Sequence, residues 1–253
     1  MCLDYQQWIR IENCILKDEN YKKDDLLKEL ESHKSVLRLD AKYFRARLIT
    51  KSNENKMNKF MSDDKYFGFP ASGCGAPNPE NEIKPGRCNR ENESVLYLAE
   101  DKYTALAEVR PGKRQRVNIA EFKLKREARV IDIIYNDSND PNSLFTWIAF
   151  YFYIVYNDNE EYYKITQHIA QIIKEAGYDG IRFSSSLSAN GMNIVLFDIE
   201  SGECLNSKVY QTISLLHYAE EQIPRENNEK LLPRSITNKF SNNQINWFLD
   251  QFN

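Results

Sequence analysis

Apolar and polar positions change period several times along the chain, and the changes mark out its elements. In DDLLKELESHKSVLRL, Leu26, Leu27, Leu30 and Leu37 recur at helical spacings behind Asp24 and Asp25, so residues 1–41 read as helical in character. Lys42–Thr50 then alternates, with Tyr43, Arg45, Arg47 and Ile49 on one face, which predicts a strand. Ser94–Ala99 reads as a strand. Glu100–Val109 reads as a helix with Asp101 as its N-cap, ended by Pro111-Gly112. Arg116–Lys123 and Ala128–Ile134 predict two more strands. Helices follow at Ser143–Tyr156 and Glu160–Ala176, the second closed by Gly177. Gly180–Ser184 and Met192–Ile199 predict short strands around an SSSLSANG turn, and Ser207–Ala219 fits strand and helix equally. The tail from Ile223 is polar until INWFLDQF, a candidate short amphipathic helix. This order is mixed rather than a regular βαβ alternation, so the fold class is α+β.

One stretch has no period at all. Phe67–Asn92 holds Pro70, Pro77, Pro79 and Pro85, four of the eight prolines, and Gly68, Gly73, Gly75 and Gly86, four of the nine glycines. Such punctuation prevents regular structure. An irregular loop of this length between well-formed strands is more often a shaped binding loop than a linker.

Composition narrows the class without naming an activity. The chain has 253 residues, 42% hydrophobic and 12% aromatic, too apolar for disorder. Its 34 Lys+Arg against 37 Asp+Glu argue against a dedicated nucleic-acid binder, although Lys42–Lys59 and Arg110–Arg129 are basic enough to keep a non-catalytic nucleic-acid-binding module as an alternative. Cys2, Cys14, Cys74, Cys88 and Cys204 form no CxxC pair, and His33, His168 and His217 are scattered, so no metal site is expected and the thiols read as reduced. No basic n-region precedes an apolar stretch at the N-terminus. The most apolar run, Leu144–Val155, is 12 residues and too short to span a bilayer. The expectation is a cytoplasmic protein with no membrane partner.

The familiar catalytic templates are missing: no GxSxG, no P-loop, no GxGxxG and no HExxH. What remains is a set of polar residues at strand ends and turns. Arg87 and Asn89 close the Gly/Pro loop, Tyr97 lies in the strand VLYLA, Glu108 on the next helix, and Ser184, Ser185, Ser186 and Asn193 around the late turn. Each has an ordinary reading alone, as surface cation, core aromatic, solvated carboxylate or loop former.

Together they resemble a known family. The segments FRAR, KPGRCN, SVLYLAEDKYTALAEVRP and GYDGIRFSSSLSANGMNIVLF look like the RES domain over roughly residues 43–200, with Arg87 ten residues before Tyr97 and Tyr97 eleven before Glu108. On that resemblance the family's Arg is Arg87, its Tyr is Tyr97, its Glu is Glu108 and its Ser is Ser185, while Arg45 matches a recurrent arginine on the first strand. Cys88 stands where many short members have Trp, and Ser184 where they have Pro. The implied organisation is an N-terminal helical extension over 1–41, the domain over 42–200, and a partly helical C-terminal extension over 201–253.

The resemblance implies an ADP-ribosyltransferase-like fold with a small mixed sheet. It also implies a toxin of a bacterial toxin–antitoxin or defence system that breaks NAD+ at the nicotinamide–ribose bond. NAD+ is then substrate rather than cofactor, with water or inorganic phosphate as acceptor; a protein ADP-ribosyltransferase on the same site is the alternative. Arg87, Tyr97, Glu108 and Ser185 are the implied catalytic set, and Arg45, Arg87, Asn89, Tyr97, Ser185 and Asn193 the implied NAD+-binding set. The implied partner is a helix-turn-helix antitoxin over the cleft, and a homo-oligomer stays open. The residue types suit this chemistry. A guanidinium grips a diphosphate or diol. A tyrosine ring stacks on nicotinamide while its hydroxyl bonds ribose. A carboxylate supports an oxocarbenium-like ribose, a serine hydroxyl fixes the ribose or amide, and the Gly/Pro loop closes over the site.

Overall fold

A computed structural model of the chain describes residues 23–58, 65–136, 140, 143–154 and 163–214, together with Ile9, Glu12 and Asn13 and the backbone of 222–225 and 228–233. Its elements run α1 (Lys23–Glu31), β1 (Lys34–Leu37), β2 (Tyr43–Leu48), β3 (Tyr66–Phe67), α2 (Ala71–Cys74), β4 (Leu96–Ala99), α3 (Lys102–Glu108), β5 (Arg116–Leu124), β6 (Ala128–Ile133), α4 (Leu144–Tyr153), α5 (Tyr163–Glu175), β7 (Gly180–Ser184), β8 (Met192–Leu196), β9 (Gly202–Gln211), β10 (Gln222–Arg225) and β11 (Asn228–Pro233).

Among the described residues, nine strands form one sheet in the order β1-β6-β7-β8-β4-β2-β5-β9-β3. The β6/β7 and β3/β9 pairs are parallel and the others antiparallel. Mixed pairing with helices clustered between strands makes the class α+β, as the order of the sequence elements predicts. The sheet has a weak joint. β2 and β4 share a single registered pair, Phe44 with Ala99, whereas β2 and β5 share six, Tyr43 to Leu48 against Phe122 to Val117. A ladder held by one pair leaves the strands free to diverge, and a cleft opens at that divergence.

Period-two alternation buries both faces of the central strands. Ile131, Ile133, Ile181 and Val195 face a core built with α1, α4 and α5, while Val130, Ile194 and Leu196 face a second core with Phe122, Leu124 and Cys74. Within the apolar run, Leu144–Tyr153 is a helix buried all round from Leu144 to Phe152, started by Ser143, whose hydroxyl accepts from the Thr146 amide. No helix among the described residues is long and apolar enough to cross a membrane.

Two readings of the pattern are corrected. The helical spacing continued to Leu37, but α1 stops at Glu31 and Lys34–Leu37 pairs antiparallel with β6. The reason is pairing: Lys34 to Leu37 match Ile131 to Ala128 residue by residue across the ladder, which buries Leu37 against the sheet and leaves Val36 51% exposed. At the other end, β9 lies between β5 and β3, pairing with β5 from Gly202 opposite Leu124 to Gln211 opposite Arg116, so residues beyond 200 belong to the sheet and the ambiguous start at Ser207 is strand. The β10–β11 hairpin was not read from the sequence. The INWFLDQF segment lies outside the described residues.

Candidate active site

The cleft at the β2/β4 divergence encloses about 530 Å3. Its floor is Phe44, Arg45 and Ala46 of β2 with Tyr97, Leu98 and Ala99 of β4. Glu108 and Arg110 stand at the end of α3, Gly86 and Arg87 come from the Gly/Pro loop, and Phe183, Ser184, Ser186 and Asn193 come from β7, β8 and the turn joining them. Sequence separations of a hundred residues thus converge on one opening.

Glu108 is set by two donors. Ser185 Oγ donates to Glu108 Oε1 at 2.7 Å and Asn193 Nδ2 donates to the same oxygen at 2.6 Å. Among the described residues Oε2 has no hydrogen-bond partner, so one oxygen orients the carboxylate and the other remains for chemistry. The short helix that carries it is well begun. Asp101 Oδ1 accepts from the Tyr103 and Thr104 amides at 2.8 and 2.9 Å, as the N-cap reading expects. Ser185 is itself braced by accepting from the Leu187 amide at 3.1 Å. Gly191 keeps the turn tight, because a Cβ there would come within 2.4 Å of Thr104 Oγ1.

Arg87 lines the cleft, yet its guanidinium is already engaged. Nη1 donates to the Tyr151 carbonyl at 2.8 Å and Nη2 to the Ile154 carbonyl at 2.7 Å, the carbonyl end of α4, and the group sits 5.8 Å from the centre of the Phe183 ring. Arg45 Nη1 donates to the Tyr97 carbonyl at 2.8 Å and so bridges the gap that the short β2/β4 ladder leaves. Burial, and then the charge of Arg47, lowers the Arg45 pKa to about 10, and among the described residues its buried Nε has no hydrogen-bond partner.

Tyr97 differs from the expected role. Its ring lines the cleft, but its hydroxyl accepts from the Cys88 amide at 2.9 Å and donates to Asn89 Oδ1 at 2.9 Å. Burial raises its pKa well above the ordinary phenol range. Asn89 is buried and off the cleft wall, its amide donating to the Lys84 and Arg90 carbonyls. Ser185 is likewise buried and off the wall, and its hydroxyl, expected to meet ribose or the amide, donates to Glu108 instead. Gly86 is required where it stands, since a Cβ would come within 2.6 Å of Asn89 Oδ1 and 2.9 Å of the Tyr97 hydroxyl.

The Gly/Pro loop is shaped by its own bonds: Asn92 N to Ile83 O at 2.9 Å, Gly86 N to Asn89 O at 3.0 Å, and Ser94 Oγ to Pro77 O at 2.6 Å. It gives the cleft only Gly86 and Arg87. Cys88 turns into the core among the helices, where burial raises its thiol to about 12, so it is no nucleophile.

Three features carried no local signal. Gln167 of α5 donates from Nε2 to both the Gly86 and Asn89 carbonyls at 2.9 Å, pinning the loop from about eighty residues away. Phe152, Tyr163 and Phe183 make an aromatic wall, with Phe152 and Phe183 edge to face at 5.7 Å. Arg110, previously only part of a basic run, lines the cleft. Among the described residues no group of three or more His, Cys, Asp or Glu stands ready for a metal ion.

The family model described as "RES domain" matches residues 62–218, more than half of the chain. No curated protein matches the sequence. A solved structure from M. tuberculosis, the MbcT–MbcA toxin–antitoxin complex, is similar at 10% identity and a TM-score of 0.39 over 76% of this chain and 93% of that one, a likeness too shallow to transfer any property.

Proposed function

The chain belongs to the RES domain family, and from that membership and the cleft together we propose that it cleaves NAD+ at the nicotinamide–ribose bond. The supporting observation is the Glu108 carboxylate, oriented through Oε1 by Ser185 and Asn193 inside a cleft walled by arginines and aromatic rings. A dinucleotide with an anionic diphosphate and a flat cationic ring calls for both kinds of wall.

On this reading the C1′–N bond of the nicotinamide riboside unit breaks heterolytically. The electron pair stays with the pyridinium nitrogen, and neutral nicotinamide departs. The ribose left behind carries oxocarbenium-like charge, which Glu108 Oε2 stabilises. Water then adds at C1′ and loses one proton to solvent, giving ADP-ribose. With inorganic phosphate as acceptor the new bond is phosphate oxygen to C1′, giving the 1″-phosphate. The rings of Tyr97, Phe152, Tyr163 and Phe183 exclude water from the leaving group's side.

We assign the chain to the toxins of this family on the same footing. An enzyme that destroys NAD+ endangers its host, so the reading includes a protein antitoxin that covers the cleft. The test is nicotinamide release from labelled NAD+ by wild type and Glu108→Gln, with and without phosphate. The reading expects release by wild type and its loss in the variant. Label retained on a protein would move the activity to ADP-ribosyl transfer, and NAD+ left intact under both conditions would overturn it.

A further inference from the structure

Three arginines line the cleft, and they are not equivalent. Arg87 donates through Nη1 and Nη2 to the carbonyl end of α4, and Arg45 donates to Tyr97 and buries its Nε. Among the described residues the Arg110 guanidinium makes no hydrogen bond or ion pair, and the residue is exposed. An anionic ligand reaching the cleft therefore finds the donors of Arg110 unoccupied, while Arg87 already gives one donor from each Nη to a helix end.

The backbone at Arg110 is unusual for such a residue. Its φ is +44°, in the left-handed region that favours glycine, and its amide donates to the Ala107 carbonyl at 2.9 Å as α3 ends. It also precedes a buried proline, and a residue before proline is normally pushed toward extended backbone. A solvated cation needs no such conformation. Strain of this kind persists where the surroundings demand it, and here it stands two residues after Glu108, on the same wall.

We infer that Arg110, rather than Arg87, grips the diphosphate of the dinucleotide and sets the preference of the cleft for a nucleoside diphosphate ligand. This rests on the NAD+-cleaving reading and deepens it. Arg87 then acts as a positioning residue that fixes the loop to α4. A planar guanidinium binds a diphosphate with paired donors, which an ammonium reproduces only in part.

The experiment measures kcat and KM for nicotinamide release from NAD+, and the Kd of ADP by calorimetry, for wild type, Arg110→Ala, Arg110→Lys and Lys113→Ala. Lys113 is exposed and off the cleft wall, so it controls for loss of a nearby charge. Arg110→Ala should raise KM and the ADP Kd together by roughly ten- to a hundredfold with kcat held, the mark of binding lost equally in ground and transition states. Arg110→Lys should recover part of this, and Lys113→Ala should match wild type. Unchanged KM and Kd in Arg110→Ala, or an equal effect of Lys113→Ala, overturns the assignment, as does wild type without measurable ADP affinity. If wild type leaves NAD+ intact the parent reading falls, and the ADP titration still decides for or against Arg110.

Discussion

Ser185 Oγ and Glu108 Oε1 lie 2.7 Å apart although 77 residues separate them in the chain. The bond joins the turn after β7 to the last residue of α3 and gives the carboxylate one orientation. With Asn193 Nδ2 at 2.6 Å on the same oxygen, the pair acts as a bracket, and neither donor needs to touch substrate to matter. Ser185→Ala should therefore lower kcat for nicotinamide release by roughly tenfold while KM stays near wild type, since what is lost is the placing of a transition-state contact. The double variant with Asn193→Ala should lose less than the product of the two single losses, because both act on one oxygen. A KM rise with kcat unchanged would return Ser185 to direct substrate contact.

Glu108→Gln separates chemistry from architecture. Glu108 is exposed and ends its helix, so the variant should unfold within about 0.5 kcal/mol of wild type. Its turnover should fall by roughly a hundred- to a thousandfold, the loss typical of a group that stabilises charge only in the transition state. NAD+ affinity by calorimetry should be retained. Full turnover in the variant would remove Glu108 from the reaction.

Tyr97→Phe tests what the phenol does. Its hydroxyl serves the Cys88 amide and Asn89 Oδ1, so the substitution leaves a buried donor and a buried acceptor unsatisfied. The expected result is a loss of about 1–3 kcal/mol in urea unfolding, seen without any ligand. A variant as stable as wild type but weaker for NAD+ would mean that the hydroxyl serves ribose instead.

Arg87→Ala should also show first in stability. Removing the guanidinium takes the donors from the Tyr151 and Ile154 carbonyls and unfastens the loop from α4, for about 1–3 kcal/mol in the unfolding midpoint of the ligand-free protein. Wild-type stability with weakened NAD+ binding would make Arg87 a ligand contact and not an anchor.

Glu12 supplies a dependence on pH. The residue is 3% exposed and its carboxyl is hydrogen-bonded by the Tyr151 hydroxyl; burial raises its pKa from 4.5 to about 7 despite that bond. Between these values the folded protein holds a proton that the unfolded chain has released, so stability falls as pH rises from about 4.5 to about 7 and this contribution is level above. Melting temperatures across that range should fall for wild type relative to Glu12→Gln, whose amide does not titrate. Parallel curves would show that Glu12 ionises normally in the fold.

Much of this molecule is determined by local pattern. The Asp101 cap, the Ser143 start of α4 and the Gly177 stop after α5, with its φ of +82°, depend on contacts a few residues apart and follow from sequence alone. The residue set Arg45, Arg87, Tyr97, Glu108 and Asn193 was also readable, and these five share the cleft. Tertiary structure decided which partners their side chains meet, because hydrogen-bond donors and acceptors are paired by neighbours distant in sequence. The Tyr97 hydroxyl and Asn89 turn to the loop, Arg87 to the end of α4, and Ser185 to Glu108, while Gln167 enters from a helix that carries no motif. The strand β1 and the place of β9 belong to the same class, since an edge pairing is stabilised by a partner strand that the local sequence does not contain. The single registered pair between β2 and β4, which opens the cleft, is a property of the closed sheet rather than of either strand.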